Sequence, residues 1–157
     1  MRRGQAMVET LIAVLAIMTI FFGGYQLSRK LAARTLLDHA AARAARAKAV
    51  GFNDFMCEKS ARVAMIPVAG RRIWPDADDP FSEAARVPIY LQADDWPLAN
   101  GILEYEYWNS MDFDVRSGSG LTPLAESSIY LSTPDYDAEG MAQVESHFPY
   151  YMYDQGR

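Results

Sequence analysis

The chain has 157 residues, a formal charge of −5 and a single cysteine, Cys57, so it has room for one small domain beyond an anchor and excludes an intramolecular disulfide or a cysteine-based metal site. The charge is split along the sequence: residues 1–50 hold eight Lys/Arg against two acids, Glu9 and Asp38, and residues 51–157 hold seven against eighteen. An acidic carboxy-terminal part repels phosphates, so nucleic acid is not an expected partner, whereas a basic stem and an acidic head on neighbouring copies attract.

Thr10 to Ser28 carries no charge. At ~1.5 Å per residue this stretch is roughly 28 Å long as a helix, about the thickness of a hydrocarbon core. A cleaved secretory signal would end in a small-x-small site; here the run passes Gly23-Gly24 and Tyr25 directly into a basic, helix-forming segment, which reads as a retained anchor. Arg2 and Arg3 mark a cytoplasmic amino terminus, while Arg29, Lys30 and Arg34 at the other end argue for the opposite orientation by Lys/Arg counting alone.

The helical pattern continues to Val50. Leu37, Ala40, Ala41, Ala44 and Ala47 fall on one face, and Gly51 is a natural stop. One helix over residues 5–50 is expected, with Gly23-Gly24 as the place for a bend or a melted turn. A helix near 70 Å long, at ~1.5 Å per residue, exceeds what the remaining residues can cover, and its alanine-rich half suits close packing against other helices.

After Gly51, Asp54 is placed to cap a short helix to about Met65, with Phe55, Met56, Ser60 and Val63 on one face, and Pro67 and Gly70 end it. Residues 67–82 read as loop. Val87 to Gln92 reads as an edge strand, because Pro88 forbids a central one. Asp94 to Ser110 carries two periods: Leu103, Tyr105 and Tyr107 alternate, and Trp96, Ala99, Leu103 and Tyr107 repeat helically; a helix starting near Asp95 is preferred. Phe113 to Arg116, Ser128 to Leu131 and Ala142 to Tyr153 read as strands, and Ser117 to Gly120 as a turn. The fold class expected is α+β: a long amino-terminal helix, then a small head with short helices and an antiparallel sheet.

No catalytic motif is present, and neither enzyme activity nor a cofactor is expected. His39 and His147 share no ligand pattern with nearby acids or Cys57 and read as surface or packing residues. Ser119 sits in a Gly-Ser-Gly turn. Asp135 to Gly140 resembles the first half of a calcium loop, but the twelfth position would be Ser146 and not a bidentate glutamate; a polar turn is the plainer reading. Asp76, Asp78 and Asp79 are weaker still. Trp108, Phe148, Tyr150, Tyr151 and Tyr153 suit a core or an interface equally. Cys57 reads as a small buried hydrophobe.

The amino terminus is the most telling segment. Arg2-Arg3-Gly4 is followed by Gln5-Ala6-Met7-Val8-Glu9 and then the apolar helix. This resembles a type IV prepilin leader, and within that superfamily the tight-adherence (Tad) branch and its TadE-like minor pseudopilins. The resemblance is strong over about the first 30 residues; in the head it is limited to size and to Val144 to Pro149, which is similar to a closing strand of such heads. Thr10 stands where an aromatic residue usually follows the glutamate, and the apolar segment lacks the proline common in TadE-like stems. The resemblance implies cleavage by a prepilin peptidase between Gly4 and Gln5, and places the superfamily's assembly glutamate at Glu9, which would meet the new amine of Gln5 on an adjacent subunit. It implies residues 1–4 as leader, 5–50 as stem and 51–157 as head. It implies self or sister pilin subunits, the peptidase, a membrane assembly platform and, before assembly, membrane lipid as partners. The expected location is the inner membrane, single-pass, and then an extracellular or periplasmic filament. The alternative is a singly anchored envelope protein whose head binds a partner without polymerising.

Overall fold

The computed structural model describes residues 2–75, 80–117 and 124–145. In chain order the elements are α1 (Arg2–Val50), α2 (Asp54–Ala64), β1 (Arg72–Trp74), α3 (Pro80–Gln92), α4 (Trp96–Asn100), β2 (Glu104–Tyr105), β3 (Met111–Ser117), β4 (Leu124–Ser132) and β5 (Asp137–Glu145). This is the expected α+β class. The chain divides into two compact units, and the boundary falls inside α1, between Ala32 and Ala33.

The first unit is helix alone. Residues 6–28 are exposed all round, apolar side chains included, and the helix stays regular through Gly23-Gly24, so the break expected there is not seen. A Cβ at either glycine would meet nothing within 4 Å.

The second unit is built around the rest of α1. Ala33, Leu37, Ala40, Ala41, Ala44 and Ala45 are fully buried, together with Ala61 and Met65 of α2, Tyr90 of α3, Leu103, Trp108, and Ile129 and Leu131 of β4. The alanine face expected to seek other helices is therefore covered within this chain. At the end of α1, Gly51 adopts φ 96°. Its N–H donates to the Lys48 carbonyl at 2.9 Å and that of Phe52 to the Ala47 carbonyl at 3.1 Å, the Schellman pattern that closes a helix on a glycine. Lys48 also pairs with Asp54 at 2.6 Å, tying the last turn of α1 to the first of α2.

β3, β4 and β5 form an antiparallel meander in that order, with Phe113 opposite Ile129 and Ile129 opposite Gly140. Period-two alternation sorts the sheet cleanly. Ala125, Ser127, Ile129, Leu131, Ala138 and Gly140 are buried on the inner face, whereas Asp112, Asp114, Glu126, Tyr130, Glu139 and Met141 are exposed on the outer one. The inner face meets α1 most closely at Gly140. A Cβ there would lie 2.3 Å from the Leu37 carbonyl carbon and 2.5 Å from the Asp38 nitrogen. Next to it the Met141 N–H, on the free edge of β5, donates to Asp38 Oδ1 at 3.3 Å.

Several expectations are corrected. The cap of α2 is Asn53, whose side chain accepts from the Met56 N–H at 2.9 Å, and not Asp54. The fully buried positions of α2 are Cys57, Lys59 and Ala61, and the expected Phe55–Met56–Ser60–Val63 face is only partly buried. Val87 to Gln92 belongs to helix α3 despite Pro88 inside it. Val87 and Tyr90 point inward at helical spacing, and the burial of Tyr90 outweighs the hydrogen bond lost at Pro88. Asp95 does cap a helix, accepting from the Leu98 N–H at 2.8 Å, but that helix ends at Asn100 before Gly101. Glu104–Tyr105 then pairs with Arg72–Trp74 inside the stretch read as loop. Asp137–Glu145 is strand β5, joined to β4 by a turn in which the Thr133 N–H and hydroxyl both donate to the Tyr136 carbonyl, at 3.0 and 2.7 Å. Gly118 to Gly120, Asp76 to Asp79, and everything beyond Glu145 lie outside the described residues.

Gly140→Ala should destabilise the head by about 1–3 kcal/mol or more, because neither backbone can yield without unseating the sheet. Gly23→Ala, in open space, is the control and should be near neutral. Thermal melts of the two full-length variants in detergent test this; equal melting temperatures would show that α1 and β5 are not in backbone contact.

Candidate assembly site

The three residues singled out at the amino terminus, Gly4, Gln5 and Glu9, all lie on α1. Gln5 and Glu9 are separated by one helical turn and so share a face. Glu9 is exposed, as is every residue from Ala6 to Ser28. This stretch includes an 18-residue window of mean hydropathy 2.2, none of it covered by the chain. Thr10 donates its hydroxyl to the Ala6 carbonyl at 2.8 Å and Thr19 to that of Leu15, also at 2.8 Å. Both hydroxyls are thus satisfied inside the helix and add little cost to burial in lipid. A carboxylate beside so apolar a stretch is costly in hydrocarbon unless a cation or a donor meets it.

Within the head, two cations stand out that the sequence reading passed over. Lys59 is buried, donates to the Ala93 carbonyl and lies 5.0 Å from the Phe55 ring centre and 5.5 Å from that of Tyr90. Burial lowers its pKa, and the charge of Asp94 pulls partly back. Arg62 stacks 4.0 Å over Trp96 and pairs with Glu58 at 2.9 Å, one turn earlier on α2. A third cluster joins α3 to the β1–β2 ribbon: Glu83 accepts from Arg72 Nη1 at 2.9 Å and from the Tyr105 hydroxyl. Burial first, and then Glu83, push the Tyr105 phenol upward. These groups hold elements together; they converge on no open cleft. Among the described residues no group of three or more His, Cys, Asp or Glu is placed to hold a metal ion. His39 is exposed on α1, Cys57 is buried and Trp108 is in the core, while His147 and the late tyrosines fall outside the described residues.

A family model described as TadE-like protein matches residues 4–46. Over this segment the chain is similar to the TadE-like proteins. The family is pilin-like and associated with the Tad pilus. No curated protein and no solved structure matches the chain. The TadE-like segment begins at Gly4, contains Glu9 and ends at Arg46, so it takes in both the uncovered part of α1 and the alanine face buried in the head. The rest of the head lies beyond the match.

The second half of α1 is held by a core with titratable members, and this gives a pH dependence. Burial pushes the Tyr90 phenol up to about 12, with Arg62 opposing. A raised folded-state pKa contributes stability that is fully present below the unfolded value near 10 and is lost as pH rises through about 12. The Tyr90 hydroxyl has no hydrogen-bond partner among the described residues. Tyr90→Phe should therefore stay within about 1 kcal/mol of the parent at pH 7 and should move the alkaline unfolding midpoint upward. Far-ultraviolet dichroism against pH reads both, and an unchanged midpoint would rule out Tyr90 as a contributor.

Proposed function

We propose that this protein is a structural, non-catalytic pilin-like subunit that is cut after Gly4 by a prepilin peptidase and assembles with itself or with sister subunits into a Tad-type pilus or pseudopilus. Residues 10–28 hold it in the inner membrane until a membrane assembly platform extracts it into an extracellular or periplasmic filament. The observation that carries this reading is the coincidence of the TadE-like match with a helix whose first half is apolar and uncovered. Apolar side chains exposed on every side of a helix need lipid or other helices, and a filament core supplies the second after the membrane has supplied the first.

The spacing gives the assembly step a physical basis. A carboxylate in hydrocarbon costs several kcal/mol unless a cation or donor meets it. Cleavage between Gly4 and Gln5 turns an amide into an amine at the same level of the stem, one helical turn from Glu9. On an adjacent subunit shifted by about that turn, the Gln5 amine offers Glu9 a charge-assisted hydrogen bond. Before cleavage no amine stands there, so processing gates assembly.

Intact-mass measurement of protein purified from its native envelope should show loss of residues 1–4. Glu9→Gln should be processed to the same mass yet lower the filament yield by at least roughly tenfold, the loss expected when a pairing in low dielectric is removed. An unprocessed amino terminus together with a silent Glu9→Ala would instead favour an anchored envelope protein whose head binds a partner without polymerising.

A further inference from the structure

The head is a layered body with oppositely charged outsides. On one side lies the outer face of the β3–β4–β5 sheet, where Asp112, Asp114, Glu126, Asp137, Glu139 and Glu145 are exposed against a single base, Arg116, already paired with Asp114 at 2.6 Å. Tyr130 sits within this face, and Met141, diagonal to it across the β4–β5 pairing, is 67% exposed. On the other side lies α1. Its Leu37 backbone rests on Gly140 of the inner sheet face. At ~100° per residue, Thr35, His39, Arg43 and Arg46 lie about 160–240° around the helix from Leu37 and so point away from the sheet. All four are exposed, and no ion pair among the described residues engages Arg43 or Arg46.

We propose that the acidic outer face of the sheet docks on the basic exposed face of α1 (Arg43 and Arg46) of a second copy of this chain. The inference rests on the reading above that copies assemble, and it names the surfaces they use in the head. Charge complementarity selects the occupant: the face carries at least six carboxylates, and the matching cations are on the opposite side of the same head. Tyr130 and Met141 supply an apolar centre that the charged rim can seal from water. Because donor and acceptor faces lie on opposite sides of one body, the contact is heterologous. It leaves a free face at each end and propagates as a line or helix instead of closing as a two-fold dimer.

Sedimentation velocity of the full-length protein in detergent tests this. The unaltered chain should self-associate at low ionic strength and dissociate toward ~1 M salt, where the screening length is only about 3 Å; association through the apolar stem is not weakened by salt. Arg43→Glu/Arg46→Glu makes both faces acidic, and Asp112→Lys/Glu126→Lys/Glu139→Lys removes the acidity of the sheet face. Each alone should weaken self-association by roughly tenfold or more, and mixing the two should restore it, since the native helix face of one then meets the native sheet face of the other. All five positions are exposed, and unchanged melting curves check the folds. Salt-insensitive association, a monomeric parent chain, either variant associating like the parent, or a mixture that stays apart would each overturn the contact. The intact mass of the same preparations separates the two ideas. A processed chain indifferent to charge reversal sinks the contact alone, while an unprocessed chain that obeys the charge swap sinks the pilin reading and leaves the contact standing.

Discussion

The head depends on one close approach, that of the β5 backbone at Gly140 to the α1 backbone at Leu37. A side chain of any size at position 140 would occupy the space of the Leu37 carbonyl carbon. Small buried residues share the core with it: Ala33, Ala40, Ala41 and Ala44 on the helix, Ala138 on the strand. Small residues let two backbones approach as large ones do not, and dispersion between closely packed main chains then replaces the bulky side-chain packing found elsewhere in cores. The bond from the Met141 N–H to Asp38 fixes the register at the same place and satisfies a donor on the free edge of β5. Once helix and strand are joined there, the rotation of α1 is set. Which of its residues turn inward, and which remain outside, follows from that single point.

This divides the long helix by partner. From Ala33 onward the helix is the spine of its own head. Before that, it presents aliphatic and aromatic side chains to whatever surrounds it, with Ile20 75% exposed and Phe21 66%. A family match extending from Gly4 to Arg46 therefore spans two different settings: an apolar helix that its own chain leaves uncovered, and a helix face packed on a chain-internal sheet. The alanines belong to the second. Their composition is the same as that of an interhelical seam, which is why composition could not tell a sheet from another helix as the cover.

What was legible in the sequence was local. The α1 terminus at Gly51 could be read because a positive φ favours glycine and the helix ran up to it. Strands β3 and β4 could be read because alternation is a two-residue signal that a half-buried sheet imposes directly. The family match likewise rests on one contiguous segment, residues 4–46. What was not legible depended on distant partners. A proline at position 88 argues against a central strand and, equally, against a helix; only the pocket that receives Tyr90 decides between them. The β1–β2 pair involves five residues, too few to carry a periodic signal. Gly140 did carry a usable signal, an isolated glycine within an alternating run, which marks a close backbone approach as readily as a calcium loop. Lys59 and Arg62 carried none, since a charged residue on a short helix is ordinarily on its wet side.

Those two cations explain how an acidic head can keep its core intact. An uncompensated buried charge is expensive, and the usual remedy is a buried carboxylate, which then needs donors of its own. Lys59 is met by the Ala93 carbonyl and the faces of Phe55 and Tyr90, which carry no net charge, and its one charged neighbour, Asp94, stays exposed. Arg62 takes one carboxylate, Glu58, from its own helix, and otherwise lies on Trp96. Few acids are drawn inward by this arrangement. Most of the other acids among the described residues are exposed, and Lys59, being buried, adds no charge to the outer surface. The sheet can then hold a dense row of carboxylates on its open face while α1 keeps exposed arginines on the far side.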